Sequence, residues 1–272
     1  MKSILLPVDQ SEQMSSALET AWQLAQKFDA TIEGVALRPA FAEIVAPDPI
    51  VAVTIPPADW NETDFVRNVR QTFDGFAASH PAEPGKATRF RWRGGSVIED
   101  GALGSLGRVY DVTVLSRPGN RGARMTALEA SLFDSGRPLL MAPPAPLPSF
   151  GQSVVIHWNA STETARAMFM AMPLLRQAKR VMLLTLEGNV VPGPSPKDAL
   201  GYLAANGVTA QEKTIPGRTQ RQGEVILAEA TAQGADLLVK GAYTISRLRQ
   251  MIFGGATSYI LAAAEIPVFF AH

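Results

Sequence analysis

Apolar residues fall in strand-sized bursts separated by helix-length amphipathic stretches, and the pattern is written twice. The opening Ser3-Ile4-Leu5-Leu6-Pro7-Val8-Asp9-Gln10-Ser11 has the same outline as Ser153-Val154-Val155-Ile156-His157-Trp158-Asn159-Ala160-Ser161. Each is a short apolar strand ending in a polar residue, Asp9 or Asn159, followed by a Ser placed to cap a helix. Later, DVTVLSRPG (residues 111–119) matches DLLVKGAYT (residues 236–244), and each copy closes on a Pro-led apolar run, from Pro138 and from Pro267. Three matching blocks in the same order identify a repeated unit.

Within the second copy the pattern predicts strands near 153–157, 180–186, 208–214, 235–240 and 266–270. Helical periodicity fills 161–178, 196–206, 221–233 and 255–264, with Ala167, Met170, Ala171 and Leu174 on one face. The strands Val181-Met182-Leu183-Leu184 and Leu237-Leu238-Val239 are continuously apolar, as strands of a parallel sheet covered on both faces are. The fold class expected is α/β, with two tandem doubly wound parallel sheets. Four prolines among residues 142–149 mark an extended connector. The division expected is therefore 1–145 and 150–272. Residues 38–60 hold Pro39, Pro47, Pro49, Pro56 and Pro57 without a clean period. They read as a surface insertion in the first copy, or as a flap over a site or a partner surface. Gly101, Gly104 and Gly107 have the wrong spacing for a dinucleotide fingerprint and read as close helix packing.

Composition narrows the chemistry. Lys+Arg and Asp+Glu balance at 25 each, which leaves no basic field for nucleic acid. There is no cysteine, so disulfides, thiolate metal sites and a Cys nucleophile are excluded. No apolar run reaches the roughly 20 residues of a membrane span. A soluble cytoplasmic protein without membrane or nucleic-acid partners is expected. His80, His157 and His272 are isolated, and no P-loop or Gly-x-Ser-x-Gly elbow is present.

The stretch from Val239 to Thr257 carries the candidate chemistry. It leaves a buried strand at Gly241 and enters a helix at Gly254-Gly255, where free backbone N–H groups and the helix dipole favour an anion. Thr257 can add a hydroxyl, and Arg247 and Arg249 lie on the same loop. In open α/β sheets the binding crevice lies beyond the carboxyl ends of the strands where chain order reverses, which points to Gly241 and Asn159 as its walls.

On these residues the chain resembles the universal stress protein family over nearly its full length, as a tandem two-domain member. Gly241 matches the first glycine of that family's ATP-binding loop and Gly254 the third, while Thr244 stands where the second is expected. Gly255 takes the Ser/Thr position, and Thr257 matches a hydroxyl two residues further on. Asn159 replaces an Asp that meets the adenosine, and Leu186 corresponds to a backbone contact with adenine. The resemblance implies Rossmann-like, adenine nucleotide alpha hydrolase-like domains of five strands in the order 3-2-1-4-5. It also implies ATP or AMP as ligand, pairing through the last strand as a homodimer or an intramolecular pseudo-dimer, an unidentified protein partner and a stress-response role. Mg²⁺ would arrive with the nucleotide, held by phosphates and water. Catalysis, if any, would be slow ATP hydrolysis. The first copy keeps Asp9 but no glycine pair, because Glu129-Ala130-Ser131-Leu132-Phe133 is read at the start of its fourth helix. One nucleotide per chain at most is expected. A tandem scaffold whose two sites have decayed is the alternative.

Overall fold

A computed structural model describes residues 1–39, 41–47, 50–81, 89–118, 125–188, 190–216, 221–242 and 255–272. In the first half the order is β1 (Ser3–Val8), α1 (Met14–Phe28), β2 (Thr31–Ala36), β3 (Ala42–Pro47), β4 (Ile50–Ile55), α2 (Glu62–Ser79), β5 (Phe90–Trp92), α3 (Asp100–Gly107), β6 (Val112–Ser116), α4 (Met125–Phe133) and β7 (Leu139–Ala142). The second half runs β8 (Ser153–Trp158), α5 (Thr162–Leu175), β9 (Arg180–Leu186), α6 (Pro196–Ala205), β10 (Gln211–Ile215), α7 (Gln222–Ala232), β11 (Leu237–Gly241), α8 (Ala256–Ala263) and β12 (Val268–Ala271).

Each half has the expected order 3-2-1-4-5 with parallel neighbours, but the two sheets are not separate. They join as one ten-stranded sheet, β10-β9-β8-β11-β12-β7-β6-β1-β2-β5. The junction is the antiparallel pair β7–β12, with Leu140 opposite Phe269 and Met141 opposite Val268. A last strand left alone would expose a row of unpaired backbone groups on an apolar edge, and pairing the two edges removes both. Because the junction is antiparallel, the carboxyl ends of the two strand sets lie on opposite edges of the sheet.

Helices cover both faces. Side chains of α1, α2, α5 and α6 build the core on one face, and those of α3, α4, α7 and α8 build it on the other. The central strands β1, β6, β7, β8, β9, β11 and β12 are almost wholly buried, as continuous apolar runs require, whereas the edge strand β10 is largely exposed and the edge strand β5 partly so. Residues 38–60, read as an aperiodic insertion, contain the β3–β4 hairpin, a two-stranded sheet outside the main one. Gly104 and Gly107 are packing glycines: a Cβ at Gly104 would run into the Ala130 carbonyl, and one at Gly107 would stand 3.0 Å from Ser135 Cβ. Among the described residues no helix is long and apolar enough to cross a membrane.

An Asp at the start of each fourth strand ties down the start of the first. Asp111 accepts from the Ser3 N–H at 3.0 Å and the Ser3 hydroxyl at 3.2 Å. Asp236 accepts from the N–H groups of Gln152 and Ser153 and from the Ser149 hydroxyl, at 2.8–3.1 Å. These carboxylates satisfy backbone donors at the amino edges of the strands, opposite the edges where ligands bind.

Candidate functional site

Strands β8 and β11 are parallel neighbours, although three helices and two strands separate them in sequence. Their carboxyl ends form the point where chain order reverses. Asn159 follows β8, Gly241 ends β11, and α8 starts from Gly255 on the face covering β11. Asn159, Gly241, Gly255 and Thr257 are thus brought to one end of the sheet. Leu186 ends the next strand, with its side chain buried. Thr244, Arg247 and Gly254 lie outside the described residues, as does Arg249.

Gly255 is the N-cap of α8, with extended backbone (φ −103°, ψ 167°) and no side chain to cap the first turn. The leading N–H groups of α8 therefore receive no side-chain acceptor from the cap residue. Thr257 is 2% exposed, and its hydroxyl oxygen accepts from Lys240 Nζ at 3.1 Å. Gly241 serves packing as well as a turn: a Cβ there would stand 2.6 Å from the Glu163 carbonyl carbon at the start of α5.

Asn159 is committed to the chain itself. Its Oδ1 accepts from the Ser161 N–H at 3.2 Å and from the Thr164 hydroxyl, while Ser161 caps α5 by accepting from the Thr164 N–H at 3.2 Å. The acceptor expected to meet adenine is thus already used in an Asx turn. The segment after β9 also closes on β8. Val191 N–H donates to the Asn159 carbonyl at 3.1 Å, and the Trp158 indole donates to the Pro194 carbonyl at 3.3 Å.

The side chain that the sequence reading missed is Lys240, opposite His157 in the β8–β11 register. Both lie on the face shared with Val155 and Leu238, under α7 and α8. Lys240 is 6% exposed, and besides Thr257 it donates to the Gly241 carbonyl at 2.8 Å. Burial lowers its pKa to about 8, against a smaller upward pull from Glu163. His157 is held neutral, its pKa lowered to about 3 by burial and then by the Lys240 charge. Its Nε2 is buried without a hydrogen-bond partner among the described residues. A lone Lys in the run Leu237-Leu238-Val239-Lys240-Gly241 was the available signal, since a fully apolar strand had been expected there.

The equivalent place in the first half is built differently. Asp9 makes the same local turn, accepting from the Ser11 N–H at 2.6 Å, but Ser11 caps nothing and its hydroxyl is buried without a partner. Glu129–Phe133 forms the closing turns of α4 and not its start. Arg117, which follows β6, is turned to the other half. It donates to the Ala264 carbonyl at the end of α8 and pairs with Glu265, both at 3.0 Å. That position neutralises a helix C-terminus. Among the described residues no group of His, Asp and Glu is arranged to hold a metal ion.

Comparisons follow the architecture. The whole chain is similar in structure to a universal stress protein from Archaeoglobus fulgidus DSM 4304, with TM-score 0.74 and 14% identity, covering 99% of this chain and 95% of that one. It is also similar to a functionally unknown protein from Pseudomonas aeruginosa PAO1, with TM-score 0.56 and 12% identity, over 100% of this chain and 92% of that one. At these identities the likeness concerns the fold. No curated protein matches the chain. The universal stress protein family model matches residues 159–272, the segment that holds the start of α8. Over residues 159–272, the chain is thus similar to the universal stress protein family.

Proposed function

We propose that residues 150–272 bind one adenine nucleotide, ATP or AMP, across the ends of β8 and β11, and that the protein acts as a cytoplasmic stress-response regulator through nucleotide-dependent conformation or partner binding. The observation that carries this reading is the start of α8. It is a helix N-terminus opened by glycine, at the reversal point of a parallel sheet, within the segment that the family model matches. The phosphates would lie on the backbone of Gly255 and Thr257, with Gly254, Thr244 and Arg247 from the preceding loop. Adenine would lie toward Leu186 and Asn159. Since Asn159 Oδ1 is engaged, recognition of the base falls to backbone groups. Any Mg²⁺ would be held by phosphate and water.

A second reading, a tandem interaction module without nucleotide, is favoured by the chain's own closure over β8 through Val191 and Pro194. Calorimetric titration of the intact chain with ATP and AMP separates the two. Saturation at one equivalent supports the first reading, and absence of heat with both supports the second. Saturation at two equivalents would give the first half a site.

A further inference from the structure

Lys240 carries a charge in a place where the fold does not need one. Counting from the matched strands Asp111-Val112 and Asp236-Leu237, its counterpart in the first half is Leu115. The counterpart of His157 is Pro7. Counting back from the closing strands, the counterpart of Thr257 is Leu128. Leu115 and Leu128 are buried in the same core layer as the second half's polar side chains. The first half thus shows that the architecture packs with apolar residues at these positions, whereas the second half buries an ammonium and an imidazole.

Among the described residues no carboxylate lies within ion-pair distance of Lys240. Its hydrogen-bond partners there are a carbonyl and a hydroxyl, which orient the ammonium without neutralising it. A buried charge without a counter-ion is costly, and an anionic ligand is one way to supply the counter-charge. The Thr257 bond places that charge directly behind the first turn of α8. A helix start alone contributes about half a positive charge. With the ammonium added, the charge there exceeds what a single carboxylate would balance, and it attracts a phosphate chain more strongly than a single phosphate because the chain carries more negative charge. His157 Nε2, buried and unpartnered beside Lys240, is a second polar group left open at the same place.

We propose that Lys240 is the charge-selecting residue of the α8 site, making it prefer polyphosphate over monophosphate. This rests on the reading that α8 receives a phosphate group, but not on the ligand being a nucleoside. The groups acting on Lys240 among the described residues are Glu163 at the start of α5 and the neutral His157 on β8. Without ligand, Lys240 is about half protonated near pH 8. An anion at α8 raises its pKa, so binding at that pH takes up a fraction of a proton, at most about one half per ligand.

The experiment is calorimetry on the intact chain at pH 8, in two buffers of different ionisation enthalpy. The probes are sodium tripolyphosphate, ATP, AMP and adenosine, and the variant is Lys240→Leu, which installs the first half's residue. The expected result is tripolyphosphate binding with proton uptake, and ATP held more tightly than AMP. The variant should bind tripolyphosphate and ATP about tenfold or more weakly, bind adenosine unchanged and show no proton uptake. Proton uptake by the unaltered chain is an independent readout should the variant fail to fold. Lack of tripolyphosphate binding, binding without proton uptake, or unchanged affinity in the variant would overturn the proposal. ATP binding indifferent to Lys240 would overturn the proposal alone. Lys240-dependent tripolyphosphate binding without ATP or AMP binding would instead overturn the adenine-nucleotide reading alone.

Discussion

The two halves share a strand order and an Asp that ties the fourth strand to the first, yet they differ at the carboxyl ends of those strands. In the first half β6 ends in Leu115-Ser116, and Arg117 leaves it to hold the far end of α8. In the second half β11 ends in Lys240-Gly241, packed against the starts of α5 and α8. The amino edges carry what both halves need to fold. The carboxyl edges are where they diverge, and there the second half accepts features that cost stability: a buried ammonium, an unpartnered imidazole nitrogen and a glycine at a strand end. The first half provides an internal control for each.

The largest effect is expected from forcing the second half toward the first at its tightest point. Gly241→Val would place side-chain atoms against the α5 backbone and should lower stability by about 3 kcal/mol, read by denaturant unfolding. The equivalent Ser116→Val, at a position that already carries a Cβ, should cost much less. Equal losses would remove the distinction.

Next is the site itself. Gly255→Asp puts a carboxylate where phosphate is expected and should weaken nucleotide binding by at least about 2 kcal/mol, with circular dichroism unchanged. Unaltered affinity would exclude α8 as the phosphate site.

Lys240→Leu should stabilise the protein by about 1 to 2 kcal/mol at pH 7, because it replaces an uncompensated buried charge with the residue type found at Leu115. The folded pKa of Lys240, about 8, lies below its ordinary 10.5. Between those values the unfolded chain holds more protons, so stability of the unaltered protein rises with pH in that window. The variant's advantage should therefore be constant below about pH 8 and shrink from there toward pH 10.5. An advantage that does not change with pH would mean that Lys240 is not buried as a cation.

The smallest effects concern what the halves share. Asp111→Asn and Asp236→Asn should each cost about 1 kcal/mol, to a similar extent, because both weaken hydrogen bonds to the start of a first strand. A much larger loss at Asp236 would show that the second half depends on this tie more than the first.

The sequence by itself determined the duplication, the parallel strands and most element boundaries in the second half, because apolar period and proline punctuation are local properties of the chain. The predicted helix at 196–206, for example, is α6 at Pro196–Ala205. It also located Gly255 at the start of α8, because a glycine-opened helix after a buried strand is legible from spacing alone. Only the tertiary structure decided that the two sheets merge through β7 and β12, since edge pairing depends on which backbone groups are left open once both halves have formed. Likewise it turned Asn159 into its own Asx turn, turned Arg117 toward the opposite half and brought Lys240 beneath Thr257. Those side chains meet partners up to 148 residues away, and no pattern of periodicity or spacing encodes which of the groups within reach each polar atom will satisfy.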